Sequence, residues 1–351
     1  MQHAVNDARE SVDLVVLGAG MCGLTIAQEL VNAGKKSWLI LDKGRSVGGR
    51  MATRRIDGQK FDHGAQFLTA RSPLFKQMVE TWLQDGIVKE WTKGFNHHFH
   101  AHTQLVDDGH PRYSGIGGMN QIAKHVASKL PDEQILLNEK IIEISIAQDT
   151  LLLKCEGGRE IQAKTLVITS PIPQTLDLLK SIDSAPSFDV ITQELANVTY
   201  DPCVAFMGFF DTDEFPLDAL PIQSHDAVIS FMADNYSKGL TSEKGSLTVH
   251  LAAEASRGMF TAHDQVIVGF ICHQLKQLFG LKKLSTPKTY DIQRWRYATP
   301  QTTLPSPYLE WAYGGLSGPR ILFAGEAFGG AKIEGAFLSA QAVAQRLLGQ
   351  I

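Results

Sequence analysis

The sequence predicts an α/β fold in which a doubly wound, largely parallel sheet is interleaved with an antiparallel α+β domain. Three observations predict it. A glycine-rich turn near the start joins an apolar strand to a helix, a second apolar strand follows, and a similar strand–helix pair returns near the end of the chain.

The opening strand is Val12-Asp13-Leu14-Val15-Val16-Leu17, whose Val and Leu content suits a parallel strand buried on both faces. Gly18-Ala19-Gly20-Met21-Cys22-Gly23 follows, and Leu24, Ala27, Leu30 and Val31 then recur at helical spacing until Gly34. Ser37 to Leu41 forms the second strand, which ends in Asp42, nineteen residues past Gly23. The whole unit is the dinucleotide fingerprint of a Rossmann-type domain. Gly18 permits the tight turn, Gly20 lets backbone approach a pyrophosphate, and Gly23 lets helix and strand pack closely. Unpaired N–H groups and the positive dipole end at the helix start stabilise phosphate charge. Asp42 accepts hydrogen bonds from an adenosine ribose and repels a 2′-phosphate. NAD(H) and FAD share this half of the molecule, so the fingerprint does not separate them.

The 351 residues are 44% hydrophobic and 20% charged, ordinary for a globular protein with ample core. A net charge of −4 leaves no electrostatic footprint for nucleic acid or an anionic membrane. Residues Met1 to Ser11 lack the apolar centre of a signal peptide, and no apolar run approaches the length of a membrane span. Cys22, Cys155, Cys203 and Cys272 have no CxxC spacing and read as separate thiols in a reducing compartment. The expectation is a cytoplasmic enzyme with a small-molecule substrate and no nucleic-acid or membrane partner. Its oligomeric state does not follow from the chain.

Further along, Leu74 to Leu83 has helical spacing, and Trp91 to Val106 alternates as a strand does. Gly115-Ile116-Gly117-Gly118 precedes a helix from Met119 to Leu130. Strands are expected at Ile135–Leu137, Ile141–Ile146, Leu151–Cys155 and Leu166–Thr169, with a hairpin turn at Ala147-Gln148-Asp149-Thr150. Pro171 and Pro173 end the last of them. Strand character returns at Val204–Phe210, Val228–Met232 and Ser246–Ala252, before a helix from His263 to Phe279. These predict a second, antiparallel sheet with helices. Arg320 to Glu326 is again a strand ending in Gly-Glu, and Ile333-Glu334-Gly335-Ala336 starts a helix with Ala336, Ala340, Val343 and Leu347 on one face. The expected division gives 1–74, 131–178 and 286–351 to the dinucleotide domain, and 75–130 and 179–285 to a substrate domain.

Three segments favour FAD over NAD. Asp42-Lys43-Gly44-Arg45-Ser46-Val47-Gly48-Gly49-Arg50-Met51 offers a flexible phosphate-contacting loop, with Arg50 able to form bidentate charge-assisted bonds. Phe61-Asp62-His63-Gly64-Ala65-Gln66-Phe67 sets small residues where a planar ring can lie against backbone. Gly325-Glu326 with Gly335-Ala336 sets a carboxylate at a strand end near a helix N-terminus, which stabilises charge growing on a reduced flavin.

GxGxxG, then Asp-Lys and Gly-Gly-Arg, resembles the opening signature of the FAD-dependent amine oxidase superfamily. Gly49-Arg50-Met51-Ala52-Thr53-Arg54-Arg55, Asp62 to Phe67, Val228 to Lys238 and Gln293 to Tyr297 resemble its renalase branch, and the similarity runs from about residue 12 to the C-terminus. The resemblance implies a two-domain flavoprotein with FAD stretched between the first glycine turn and the C-terminal Gly-Ala helix. It implies hydride transfer to flavin N5 from misreduced dihydro isomers of NAD(P), with reoxidation by oxygen to hydrogen peroxide. By the same resemblance Gly18, Ala19, Gly20, Met21, Cys22, Gly23, Asp42, Lys43, Gly49, Arg50 and Met51 line the adenosine diphosphate end. Gly64, Ala65, Gln66 and Phe67 sit by the flavin, Gly325 and Glu326 by the ribityl chain, and Gly335 and Ala336 by the pyrimidine carbonyl. No cysteine follows Cys272, so the thioether known in some monoamine oxidases has no partner there, and non-covalent FAD is expected.

Other features weigh less. His98, His100 and His102, with His97 beside them, would share one face of a strand, but without a carboxylate or cysteine partner no metal site is expected. Trp295, Tyr297, Trp311 and Tyr313 suit an aromatic wall or core packing equally well. Arg50 and Glu326 read as cofactor ligands ahead of an ion pair, and His63 as a packed loop residue. Asn235 and Lys238 can meet substrate or solvent, and because lysines are mostly exposed the solvated reading is favoured. No catalytic acid or base is singled out, because hydride transfer needs position and an electron sink. An amine or amino-acid oxidase and a non-catalytic flavin or NAD sensor stay open as alternatives.

Overall fold

The computed structural model describes residues 10–99, 102–182, 186–211, 217, 220–224, 228–315 and 318–349, without side chains at 97–99, 102–105 and 186. The chain forms two compact units. The first comprises Met1–Gly49, Ala123–Thr199 and Pro300–Ile351, and the second Arg50–Ile122 and Tyr200–Thr299. The first unit opens with β1 (Glu10–Leu17), α1 (Met21–Asn32) and β2 (Trp38–Asp42). The chain then builds β3 (Thr53–Ile56), β4 (Gln59–Asp62), α2 (Pro73–Gln84), β5 (Val88–Phe99), β6 (His102–Gly115) and α3 (Asn120–Ala127). It returns with β7 (Ile135–Leu137), β8 (Ile141–Ala147), β9 (Thr150–Cys155), β10 (Glu160–Ile168), α4 (Ile172–Leu179) and α5 (Pro186–Ala196). The second unit resumes with β11 (Tyr200–Phe209), β12 (Ile222–Ser224), β13 (Ile229–Asp234), β14 (Ser246–Leu251), α6 (Ala253–Met259), α7 (Asp264–Phe279) and β15 (Tyr290–Pro300). The final elements are β16 (Leu309–Ala312), β17 (Arg320–Phe323), α8 (Glu326–Gly329) and α9 (Ile333–Leu347).

In the first unit the sheet runs β16-β17-β10-β1-β2-β7. β1 pairs in parallel with both β2 and β10, β7 continues in parallel from β2, and β17 from β10. Numbered within this parallel set, the order is third, second, first, fourth, fifth, which is the doubly wound arrangement. Val15, Val16, Ile40, Leu41, Leu166, Val167, Ile321 and Leu322 are all buried, which explains why these strands read as unbroken apolar runs. The turn after β1 falls where the strand order reverses, the usual ligand position in such sheets. α1 packs on α9, whose Ala336, Phe337, Ala340, Val343 and Ala344 are buried. β8 and β9 form the expected hairpin, with Gln148 at a positive φ of 55° in its turn.

The second unit holds a seven-stranded sheet ordered β15-β11-β14-β13-β12-β5-β6. β11–β14, β13–β14, β12–β13 and β5–β6 are antiparallel, but β12 joins β5 in parallel. The sheet is therefore mixed where a wholly antiparallel one was expected. α7 covers it through Ile267, Val268, Ile271 and Leu275, packed with Val204, Phe206, Val249 and Leu251. The single strand expected over Trp91–Val106 is two arms of a hairpin, in which His98 pairs with Thr103 and Phe99 with His102. His98 and His102 thus lie on different strands and share no single-strand face; His100 lies outside the described residues.

β3 and β4 form a hairpin that the sequence reading missed. Its two-residue turn, Asp57-Gly58, has φ of 48° and 78°, the pair of positive values that a type I′ turn requires. Phe61 on β4 is fully buried with Ile56, Met207 and Phe209, edge-on to Phe209 at 5.1 Å. That apolar contact with β11 puts residues 50–74 in the second unit, not in the dinucleotide domain. By the same logic Phe188 of α5, 4.5 Å from Trp311, belongs to the first unit, and β15 belongs to the second sheet. The divisions fall at 49, 122, 199 and 299 instead of 74, 130, 178 and 285. Phe61→Ala removes this anchor and should lower unfolding free energy by about 3–5 kcal/mol; a loss below about 1 kcal/mol in urea titration contradicts the packing.

Candidate functional site

The residues singled out in the first unit gather at the carboxyl ends of its parallel strands. Gly18, after β1, has φ of 113°, and a Cβ there would run into Thr169 Oγ1 just past β10. Thr169, not singled out by sequence, donates its hydroxyl to the Leu17 carbonyl at 2.9 Å and so ties the two strand ends together. A Cβ on Gly23 would collide with the Gly18 carbonyl, which is why this position excludes a side chain. Gly20 differs: a Cβ there would meet nothing within 4 Å. It caps α1 without a side-chain hydrogen bond, and the first turn of α1 carries no acid. That open, uncapped helix start retains unpaired N–H groups and the positive dipole end, a fit to a pyrophosphate.

Asp42 ends β2 beside this turn. Its Oδ2 accepts the Ala19 N–H at 2.7 Å and its Oδ1 the Gly44 N–H at 2.6 Å, while each oxygen keeps lone-pair capacity for a ribose hydroxyl. Gly48 donates to the Ala19 carbonyl at 2.9 Å, holding Gly49 close to Gly20. Lys43 bonds Gln174 at 3.0 Å. Met21 and Cys22 are buried in the helix–sheet contact, and burial followed by the Glu326 carboxylate pushes the Cys22 thiol well up. Glu326 opens α8 directly after Gly325, whose φ is 131° and whose N–H bonds Ser339 Oγ at 2.9 Å. A Cβ on Gly335 would strike the Gly330 carbonyl, so glycine there closes the α8–α9 corner backbone to backbone, and Ala336 beside it is buried. Among the expected ligands, these residues fit the adenosine diphosphate half and the ribityl end of FAD.

The remaining expected ligands lie in the second unit. Arg50 donates to the carbonyls of Tyr297 (3.4 Å) and Ala298 (3.3 Å), and its own carbonyl accepts the Ala65 N–H at 2.8 Å. A Cβ on Gly64 would strike that same carbonyl. Met51 is buried. Gly64, Ala65 and Phe67 are half-buried, Phe67 packing edge-on to Phe95 at 4.9 Å, whereas Gln66 turns its side chain inward.

What receives Gln66 is a buried polar cluster that sequence reading did not anticipate. Asp62 Oδ2 pairs with Lys238 Nζ at 2.6 Å, and both side chains are 0% exposed. Asp62 Oδ1 accepts Thr53 Oγ1 at 2.6 Å and the Met119 N–H at 2.8 Å. Its carbonyl accepts Gln66 Nε2 at 2.7 Å and Thr248 Oγ1 at 2.9 Å. Lys238 also donates to Gln66 Oε1 at 3.2 Å and lies 5.3 Å from the Trp91 ring centroid. The solvated placement expected of Lys238 and Asn235 is thus corrected. Lys238 is sealed in because a carboxylate, an amide and a ring face take its charge; Asn235 is sealed in, donating to Ser246 O and Thr248 Oγ1, both at 2.9 Å. The sequence carries no signal for the pair: Asp62 and Lys238 are 176 residues apart, and only the fold buries them together.

Two imidazoles flank the cluster. His63 stacks on Trp295 at 5.4 Å and 14°, and its carbonyl accepts Trp295 Nε1 at 2.7 Å. His250 Nε2 lies 3.4 Å from Gln66 Nε2, and its ring also bonds the His63 backbone. Burial, then the Arg54 guanidinium, lowers His63 to about 4; burial, then Lys238 and His63, lowers His250 to about 3. Both are neutral at pH 7. Burial pushes Lys238 down and Asp62 pulls it back. Of the four aromatic residues of the expected wall, Trp295 and Tyr297 belong to the second unit, and Trp311 and Tyr313 to the first, where their ring centroids are 5.9 Å apart. Among the described residues no cluster of His, Cys, Asp and Glu is arranged to hold a metal.

Residues 91–348 match the family of flavin containing amine oxidoreductases, and residues 16–82 match the NAD(P)-binding Rossmann-like domain. The chain belongs to the flavin-containing amine oxidoreductase family. FAD is its cofactor. A zebrafish (Danio rerio) protein named inactive all-trans-retinol 13,14-reductase is 26% identical over 44% of this chain, which spans only 25% of that protein. A Mycobacterium tuberculosis protein named putative flavin-containing monoamine oxidase is 39% identical over 19% of the chain and 15% of its own length. Among solved structures, a putative protoporphyrinogen oxidase from Exiguobacterium superposes with a TM-score of 0.75 at 14% identity, covering 97% of this chain and 99% of its own. Putrescine oxidase bound to putrescine follows at 0.70 and 16%, over 97% and 99%. At these identities the solved structures share the fold.

The neutral imidazoles carry a pH signature. An unfolded histidine takes a proton below about 6.5, whereas folded His63 does so only near 4. Between those values the unfolded chain binds more protons, so stability falls as pH falls, by about 1.4 kcal/mol per pH unit for each such group. His63→Phe, which keeps the stack on Trp295, should flatten the decline between pH 6.5 and 4.5 by about that slope. Equal slopes for both proteins contradict a neutral buried His63.

Proposed function

We propose that the protein is an oxidase of the renalase type, taking a hydride from isomeric dihydro forms of NAD(P) and returning oxidised nicotinamide. Dioxygen and one proton are consumed, and hydrogen peroxide is formed. Bound FAD supplies the two-electron sink. In this reading the first unit holds the cofactor through Gly18–Gly23, Asp42, Gly49 and the α8–α9 corner, and the second unit holds the substrate.

The observation that supports a dihydronicotinamide over an amine is the charge state around the 62–67 turn. Asp62 is already matched by Lys238, and Asp291 by Arg54 at 2.7 Å. His63 and His250 are neutral, and the Arg50 guanidinium is held on the Tyr297 and Ala298 carbonyls. Among the described residues around this turn the carboxylates are already matched, which supports a neutral dihydropyridine over a substrate ammonium. Hydride loss from a dihydropyridine needs no base, because the ring becomes aromatic as the hydride leaves, and no base is needed beyond orientation. A second reading, an amine oxidase, draws support from the family itself and from the relative named as a monoamine oxidase.

In this reading FAD is held without a covalent thioether, since no cysteine follows Cys272 of α7 in the sequence. All four cysteines are free thiols, which suits a reducing compartment such as the cytoplasm. Among the described residues no helix is long and apolar enough to cross a membrane. Anaerobic mixing with NADH, the 2- and 6-dihydro isomers of NAD(P), and an amine panel tests the substrate. The isomers should bleach the flavin absorbance at least 100-fold faster than any amine; bleaching by amines alone overturns the proposal.

A further inference from the structure

Nothing in the proposed reaction uses Lys238, yet it is among the most costly side chains in the molecule to bury: an ammonium with 0% side-chain exposure. Its three donor directions are all spent locally, on Asp62 Oδ2, on Gln66 Oε1 and over the Trp91 ring. Each of the first two leads into the same five-residue turn. Asp62 is the last residue of β4 and immediately precedes His63. Gln66 spans the turn from within, its Nε2 donating to the Asp62 carbonyl at 2.7 Å and to the Gly64 carbonyl at 3.2 Å. Lys238 therefore holds both ends of a loop whose middle, Gly64-Ala65, is half-buried and carries almost no side chain.

We propose that Lys238 is a positioning residue for the flavin ring: through Asp62 and Gln66 it sets the backbone of Gly64-Ala65 in the conformation the ring packs against. The inference rests on the reading that this turn lies beside the flavin. A salt bridge kept only for stability is a weak explanation, since well-packed apolar residues of similar volume commonly replace a buried pair without loss. Fixing one backbone geometry is the use that repays such a pair, because a carboxylate, an ammonium and an amide with all partners satisfied allow a single arrangement. Other charged and titratable groups facing the pair leave it intact: His250 is neutral and Arg54 is matched by Asp291.

Lys238→Met alone strands a buried carboxylate and is expected to unfold, so the test uses the paired Asp62→Asn/Lys238→Met protein, with Lys238→Arg as the conservative variant. The paired variant should keep a wild-type far-UV spectrum and cooperative unfolding. Its Kd for FAD should rise at least 10-fold, and the bound flavin's visible absorption and circular dichroism bands should shift. Lys238→Arg, which retains charge and donors, should recover at least half of the affinity lost. A paired variant that folds with wild-type FAD affinity and flavin bands overturns the proposal, and so does one that loses fold and flavin together. Ala65→Leu separates the underlying reading: it adds bulk on the turn itself while leaving Lys238, Asp62 and Gln66 in place. If it leaves flavin bands and affinity unchanged, the turn is not the ring's platform and the assignment fails at that step. If it perturbs them while the paired variant does not, only the role of Lys238 fails.

Discussion

The placement of every candidate ligand in the first unit depends on backbone being allowed to approach backbone at the carboxyl edge of the parallel sheet. β1 must turn sharply into α1 while β10 ends beside it, and the space left is too small for a Cβ at Gly18 or Gly23. Once those glycines close the turn, the start of α1 is aimed at the edge with no side chain capping it, and Asp42 and Glu326 arrive there from β2 and β17. A buried parallel sheet has its helices on both faces, so its strand ends are where polar chemistry can be displayed. Gly20 is the counterpart to Gly18 and Gly23: open space lies where its Cβ would be, so the fold itself does not require glycine there, whereas it does at the other two.

The second unit solves a different problem. It buries Asp62, Lys238, Asn235 and Gln66 near one another, with His250 half-buried beside Gln66; Asp62, Lys238 and Gln66 bond one another directly, and Asn235 joins them through Thr248. Such a network is costly if incomplete and rigid if complete. The Asp62–Lys238 charges cancel within the cluster, and Gln66 ties it to the Gly64 carbonyl in the following turn. The same cancellation distinguishes a dinucleotide donor from a cationic amine in the proposed reaction.

How much was legible followed from the range of the interactions involved. The fingerprint strand, turn, helix and Asp42 were readable because each is a local pattern with one geometric solution, and β7, β8, β9 and α7 were readable from apolar spacing. The β3–β4 hairpin carried a strong Asp-Gly turn signal but was overlooked because its short, charged strands, Thr53–Ile56 and Gln59–Asp62, lack alternation. Domain boundaries were misplaced because they depend on Phe61 meeting Phe209 and Phe188 meeting Trp311, contacts between residues more than a hundred positions apart. Lys238 was misread for the same reason. Lysines are usually exposed, and the partner that overrides this lies 176 residues away.

Hydrogen–deuterium exchange on the apoprotein and the FAD-loaded protein tests the central claim most directly. The account predicts that FAD slows exchange at Gly18–Gly23, at 42–49, at 325–336 and at 63–67, with little change over α7. Protection confined to other segments, with Gly18–Gly23 exchanging at the same rate in both states, contradicts it.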